Sequence, residues 1–202
     1  MSRKLQFNGS EMSRIRSSKK ERGSSLIEML IALLVLSVGM VGSMAVVGVA
    51  VGSNARSKRD TTSTALAQMV LGRISSVPVG GGTASVTVTD CANNTLTVNT
   101  TGTTSGSGAN LSSSTGKVDF SQSFSSVTSG YAIQYIACGM SSGIQTAYDI
   151  RWNIKQLPPG AGGVASKEEY VVVGARAVDT SGTGLQRAAS VNLRTIVGND
   201  GN

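Results

Sequence analysis

One uninterrupted apolar run, residues 26–51, constrains this chain more than any other feature. It reads LIEMLIALLVLSVGMVGSMAVVGVAV, and Glu28 is its only charged residue. At about 1.5 Å per residue, a helix of this length can cross the roughly 30 Å hydrocarbon core of a membrane. It is apolar all round, and a chain of 202 residues is too short to surround it. We therefore expect the run to lie in a membrane or against other subunits.

The segment before this run is short, polar and basic. Residues 1–23 contain seven Lys or Arg residues and two Glu residues, a net charge of +5, which leaves +2 of the total +7 for the rest of the chain. A nucleic-acid-binding face would need clustered positive charge on the folded domain, so no nucleic-acid partner is predicted. A basic segment before an apolar span stays on the cytoplasmic side, which places the rest of the chain outside.

The helical pattern continues beyond the apolar half, residues 24–52, into an amphipathic half, residues 53–78. Pro78 and the glycines that follow it end the pattern. One helix from about residue 25 to residue 77 is therefore predicted. Its second half carries apolar residues at helical spacing: Leu66, Val70, Ile74 and Val77.

Residues 79–202, called the head below, are predicted to form an antiparallel β-sheet packed on this stripe, which gives an α+β fold. Strands are predicted at 85–89, 95–98, 131–136, 147–156, 170–178 and 188–197. In 147–156, apolar Tyr148, Ile150, Trp152 and Ile154 alternate with polar Asp149, Arg151, Asn153 and Lys155. This period is typical of a strand with one buried and one solvent-facing side. The Ser/Thr/Gly-rich stretch 100–116 is predicted to be a mobile surface loop.

The composition argues against several kinds of active site. The chain has no histidine, which removes the commonest general base and metal ligand, and two cysteines cannot complete a four-cysteine zinc site. Cys91 and Cys138 are predicted to form a disulfide if the head lies in an oxidising compartment; two buried thiols are the alternative. The adjacent Glu168 and Glu169 are assigned to a solvated turn. No enzyme activity, cofactor or metal is predicted.

The string KKERGSSLIE, residues 19–28, carries the most specific signal. It places basic residues, a glycine and a glutamate five positions beyond that glycine at the start of the apolar run. This resembles the start of type IV prepilins and pseudopilins. The longer string SSLIEMLIALLVLSVGMVG looks most like the PilV-type minor pilins.

The resemblance implies a maturation pathway. A prepilin peptidase would cut between Gly23 and Ser24, remove the leader 1–23 and methylate the new amino group of Ser24. Most family members have phenylalanine where this chain has Ser24. The mature subunit would sit in the inner membrane with a periplasmic head and then join a cell-surface pilus, with its helix contacting other pilins.

Glu28 has two explanations. A carboxylate in an apolar helix is costly unless it has a partner, and the resemblance implies that this partner is the amino group of a neighbouring subunit, which sets the assembly register. Alternatively, the carboxylate favours the positive end of the helix dipole or reaches the membrane interface.

Several functions remain open at this point. A secretory signal peptide would have a shorter apolar core, of about 7–15 residues, whereas a plain single-span anchor shares the predicted topology. The favoured function is a minor type IV pilin that primes or enters a pilus. A minor pseudopilin of a type II secretion system and an adhesin-like head displayed on a pilus are the alternatives.

Overall fold

A computed structural model describes residues 25–79, 84–138, 146–158, 167–178 and 189–198. Within these ranges one long helix precedes seven strands, which pair antiparallel throughout. The predicted α+β class, a long N-terminal helix followed by antiparallel sheet, is confirmed. The elements are α1 (Leu26–Ser75), β1 (Ser85–Thr89), β2 (Thr95–Asn99), β3 (Ser107–Gly108), β4 (Ala132–Ala137), β5 (Thr146–Gln156), β6 (Glu168–Ala177) and β7 (Val191–Gly198).

Helix α1 crosses the boundary between two units of the chain, residues 1–48 and 49–202. In the first unit, every described side chain of the helix is exposed. Its two hydroxyl side chains, Ser37 and Ser43, each donate to the carbonyl oxygen three residues earlier at 2.8 Å. These polar groups are therefore satisfied within the helix itself, as an apolar environment requires.

In the second unit, α1 buries one face. Leu66, Ala67, Val70 and Ile74 are buried in the same apolar cluster as the sheet. This is the predicted stripe, except that Val77 follows the end of the helix and is only partly buried. Burial of this face, more than the intrinsic helix preference of its residues, holds this part of the helix in place.

Strand β5 lies at the centre of a five-stranded sheet. It pairs with β6 on one side and with β3 and β4 on the other, and β7 pairs with β6; β1 and β2 form a separate hairpin. On the apolar face of this sheet, Ile150, Trp152 and Ile154 have no exposed surface. They share one cluster with α1 and with Val88 and Val98 of the hairpin, which confirms the apolar side predicted for 147–156.

Part of the opposite face of the sheet is buried as well, so the predicted solvent-facing side is wrong for two residues, whereas Lys155 on the same face is exposed as predicted. Asp149 and Arg151 are only 3% and 1% exposed. Residues 103–127, called the cover segment below, pair with β5 through β3 at the edge of the sheet and bring Val118, Phe120 and Phe124 over this face. They include most of the stretch 100–116, in which Ser107 and Gly108 pair with β5 while nearly all the other residues are exposed or partly exposed.

Backbone contacts and two glycines hold the cover segment against the sheet. The N–H of Ala109 donates to the carbonyl of Trp152 at 2.9 Å. Gly108 has a φ of +112°, and a Cβ there would meet that same carbonyl oxygen. A Cβ at Gly174 of β6 would collide with the side chain of Val118. Glycine is therefore required for close approach at both positions.

The solvated turn predicted at Glu168 and Glu169 is also corrected, because both residues begin β6. Glu169 is 6% exposed, and its Oε1 accepts a hydrogen bond from the N–H of Gly102 at 3.1 Å. Burial raises the pKa of Glu169, and this single hydrogen bond only partly opposes the effect.

Candidate functional site

The N-terminal candidate site begins at the first turn of α1. Glu28 lies in that turn, and its N–H donates to the carbonyl of Ser25 at 2.9 Å. A carboxylate at this position is near the positive end of the helix dipole. Gly23 and Ser24, the predicted cleavage and methylation positions, lie outside the described residues.

Beyond Glu28, α1 presents apolar side chains in every direction. All side chains from 25 to 51 are exposed. Together they form a far larger apolar surface than monomeric soluble proteins usually expose. Among the described residues, α1 is the one helix long and apolar enough to cross a membrane. A Cβ would meet nothing within 4 Å at any glycine of this part of the helix. Their small size is therefore not required by packing within the chain.

A glycine, a glutamate five positions later and an exposed apolar helix thus occur together at the start of the chain. Residues 18–44 match the prokaryotic N-terminal methylation motif. The match includes Gly23, Ser24 and Glu28, and it supports a type IV prepilin-like N-terminus. Such a motif implies processing by a prepilin peptidase and assembly with other pilins. No curated protein and no solved structure matches the chain significantly.

The head carries a second candidate site, a cluster of three charged side chains on the covered face of the sheet. Arg151 donates to Asp149 twice, from Nε to Oδ1 and from Nη2 to Oδ2, each at 2.8 Å. Arg176, opposite Asp149 on β6, donates from Nη2 to Oδ2 at 3.1 Å. The side chains of Asp149 and Arg151 are 5% and 2% exposed, and that of Arg176 is 36% exposed.

The cover segment completes the surroundings of the two arginines. The carbonyl of Gln122 accepts a hydrogen bond from Nη1 of Arg151 at 2.6 Å. The guanidinium of Arg151 lies 5.2 and 5.7 Å from the ring centroids of Phe120 and Phe124, and that of Arg176 lies 4.6 Å from Phe120. Arginine suits this place because its planar fork bonds a carboxylate through two donors and stacks on aromatic rings. The buried charges are thereby compensated.

Two neighbouring cavities open beside this cluster. The first, of about 470 Å³, is lined by the three charged residues and by Phe120, Phe124 and Gln134, among others. The second, of about 450 Å³, lies between β2 and β4 and shares Phe124 and Gln134 with the first. Hydroxyl and amide side chains make up much of its lining: Thr95, Thr97, Asn99 and Ser129.

The structure also brings the two predicted cysteines together. Cys91 and Cys138 form a disulfide with their Cα atoms 5.3 Å apart, which is within the usual range. Cys91 follows β1 and Cys138 follows β4, and the N–H of Cys91 donates to the carbonyl of Ile136 at 3.1 Å. The bond spans 47 positions and closes a loop that contains the entire cover segment.

Asp90, beside the disulfide, organises the turn between β1 and β2. Its Oδ1 accepts hydrogen bonds from the N–H groups of Ala92 and Asn94, at 2.9 and 2.8 Å, and its Oδ2 accepts one from the Asn94 side chain at 3.0 Å. Partial burial raises the pKa of Asp90, but these hydrogen bonds outweigh that effect and hold the pKa below its ordinary value.

Sequence reasoning identified the N-terminal motif but not the charged cluster. The sequence did contain a signal for this cluster, because Asp149 and Arg151 are two positions apart on one strand and their side chains must share a face. What the pattern did not show was that this face would be covered. Among the described residues, no group of three His, Cys, Asp or Glu side chains could hold a metal ion.

Proposed function

We propose that this chain is a minor type IV pilin of the PilV type. A prepilin peptidase processes it, and it then primes the assembly of a type IV pilus or is incorporated into one. One observation carries the proposal. The methylation motif at residues 18–44 covers the start of helix α1, whose side chains from 26 to 51 are all exposed and almost all apolar. Such a surface needs a membrane before assembly and protein partners after it.

In the proposed maturation, the peptidase cleaves between Gly23 and Ser24 and methylates the new amine of Ser24. The chemistry belongs to the peptidase, and this chain is its substrate. A glycine before the cut suits the reaction because the missing side chain lets the backbone approach catalytic groups closely. The inner membrane then holds α1, with the head on the periplasmic side.

Glu28 is proposed to pair with the Ser24 amine of a neighbouring subunit in the fibre. Both charges would lie in apolar surroundings, where their attraction is strong but loss of hydration opposes it. Only one stacking register would bring the Glu28 carboxylate next to the Ser24 amine. Any other register would bury the two charges apart from one another, which costs free energy. The pairing would therefore select the register in which subunits stack.

The decisive experiment is the mass of the N-terminal peptide of the protein isolated from its native membrane. We expect a peptide that starts at Ser24, with or without a methyl group. The variant Gly23→Phe should keep the leader, whereas the matched variant Gly9→Phe, within the same leader, should still be cut. An intact leader in the unmodified chain would indicate a plain anchor. A start at Val51 or Arg56, left by a signal peptidase that cuts after Ala50 or Ala55, would indicate a secreted head. Either result would overturn the proposal.

Assembly is tested separately by Glu28→Gln, which keeps the shape of the side chain and removes its charge. We expect normal processing and a large loss of the subunit from sheared fibres. Glu21→Gln, which alters a carboxylate in the removed leader, is the matched control and should assemble normally. Unchanged incorporation of the Glu28 variant would refute the pairing.

A minor pseudopilin is the competing function, and it predicts a different loss. Cells without a minor pilin should lose surface pili and keep protein secretion. Cells without a pseudopilin should lose secretion and keep their pili. The second pattern would replace the pilus assignment and leave the proposed processing in place.

A further inference from the structure

The two cavities of the head have the size of a ligand site. Each is about 450–470 Å³, and small-molecule sites commonly measure about 300–1,000 Å³. Because Phe124 and Gln134 line both, a ligand of several linked units could extend from one into the other.

The first cavity favours an anionic group. Its lining carries one negative and two positive side chains, Asp149, Arg151 and Arg176, a net charge of +1. Asp149 and Arg151 bind each other through two hydrogen bonds and are almost fully buried. Arg176 uses Nη2 toward Asp149 but keeps 36% of its side chain exposed, and a guanidinium has five N–H donors. It can therefore offer a two-donor contact to a carboxylate of a ligand.

The position of Arg176 is fixed before any ligand arrives. The ring of Phe120 lies 4.6 Å from its guanidinium carbon, and Asp149 holds its Nη2. Asp149 is itself fixed by Arg151. A guanidinium held in this way loses less conformational freedom on binding than a free surface arginine. The nearby Asp119 is not part of the cavity lining, and its Oδ1 accepts hydrogen bonds from the hydroxyl and N–H of Ser121 at 2.7 and 2.8 Å.

The second cavity favours a hydroxylated ligand. Its hydroxyl and amide side chains can each donate and accept hydrogen bonds, which suits the hydroxyl groups of a sugar. The ring of Phe124, between the cavities, offers an apolar surface for the C–H face of a sugar ring. From this combination we propose that the two neighbouring cavities together bind an acidic saccharide, with Arg176 contacting the carboxylate. The inference rests on the head alone, so its failure would leave the pilin proposal intact.

The test uses the full-length protein in detergent micelles and tri-galacturonate as the probe, with binding measured by titration calorimetry. We expect saturable binding that weakens as salt is added, because the contact is partly exposed. The uncharged trisaccharide of galactose should bind at least about tenfold more weakly, since it lacks the charge-assisted contact. A peptide of three glutamates should also bind more weakly; equal binding of that peptide would overturn the saccharide assignment.

Variants locate the site. Arg176→Gln should weaken tri-galacturonate binding at least about tenfold. Arg194→Gln is the matched control, because Arg194 lies on β7, donates to the carbonyl of Thr115 and does not line either cavity; its binding should be unchanged. Gln134→Leu, at an exposed position shared by both cavities, should weaken binding without disturbing the charged cluster. Absence of binding, or equal weakening by the Arg194 variant, would overturn the proposal.

Discussion

Replacing Arg151 with methionine would leave the buried carboxylate of Asp149 with one charged partner in place of two. Methionine keeps much of the length of the side chain and removes the guanidinium. Asp149 would lose two hydrogen bonds of 2.8 Å and keep only the 3.1 Å bond from Arg176. The carbonyl of Gln122 would lose its donor at the same time.

The size of the effect follows from this geometry. Two unit charges about 4 Å apart attract by about 4 kcal/mol at an effective dielectric constant of about 20. Removing one partner of a buried pair generally costs about 3–5 kcal/mol. We therefore expect Arg151→Met to lower the free energy of unfolding by about 3–5 kcal/mol, a large part of the roughly 5–15 kcal/mol typical of a folded protein.

Trp152 provides the assay. It is the only tryptophan in the chain, it has no exposed surface, and it adjoins Arg151. Its fluorescence during urea unfolding of the full chain in micelles should report loss of the sheet. Arg176→Met is the matched control. Because that side chain is partly exposed and contributes one bond to Asp149, its cost should be about 1 kcal/mol.

A double variant tests the coupling. If the cost of each single change comes from an orphaned partner, Asp149→Leu with Arg151→Met should cost several kcal/mol less than the sum of the two single changes. Additive costs would refute the reasoning. So would a loss in Arg151→Met no larger than that in Arg176→Met.

Three further changes test other features of the head. Replacing Cys91 and Cys138 by serine should lower the free energy of unfolding by up to about 4 kcal/mol, as expected for a loop of this length; a reductant that leaves the unfolding midpoint of the unmodified protein unchanged would contradict this. Glu169→Gln should stabilise the protein at pH 7. The pKa of Glu169 is raised on folding, so its contribution to stability is complete below its unfolded pKa of about 4.3 and is lost as pH rises through the folded pKa. The gain should therefore vanish below about pH 4, and a gain independent of pH would refute burial as its cause. Gly108→Ala should cost about 2–4 kcal/mol through a positive φ and a collision with a backbone carbonyl, while Gly72→Ala, at an open position in α1, should stabilise by up to about 1 kcal/mol.

The sequence predicted the elements of the fold because their periods are strong. The apolar run and the stripe at Leu66, Val70 and Ile74 indicated α1, and all six predicted strands are present within a few residues of their expected bounds. The two-residue strand β3 was missed, since it lies in a stretch of Ser, Thr and Gly with no hydrophobic period. Its pairing with β5 depends on backbone hydrogen bonds and on the close approach that Gly108 allows, and neither of these gives a hydrophobic pattern.

The polar side of β5 could not be assigned from alternation alone. The pattern at 147–156 separates two faces, but it does not tell which layers will pack on each. Asp149 and Arg151 would satisfy the same pattern on an open face. Their burial follows from Val118, Phe120 and Phe124, three apolar residues among polar Asp, Ser and Gln, which are too few to give a sustained strand or helix period. Glu169 was misassigned for a similar reason, since two adjacent acidic residues suggest solvent and the second one faces the core.

The order of the chain gives the cover segment a consequence for folding. Residues 103–127 emerge from the ribosome before β5 and β6, so the surface they cover does not exist when they are made. Until that surface forms, Asp149, Arg151 and Arg176 remain hydrated, and a stretch rich in Ser, Thr and Gly has little apolar surface with which to collapse early. The cover segment can close only onto paired β5 and β6, so we expect its closure to come late, and bonds that form after the transition state act mainly on the rate of unfolding. These bonds then bear on how long the fold of the head survives, because a slow opening rate, more than a fast closing rate, determines the lifetime of a folded state.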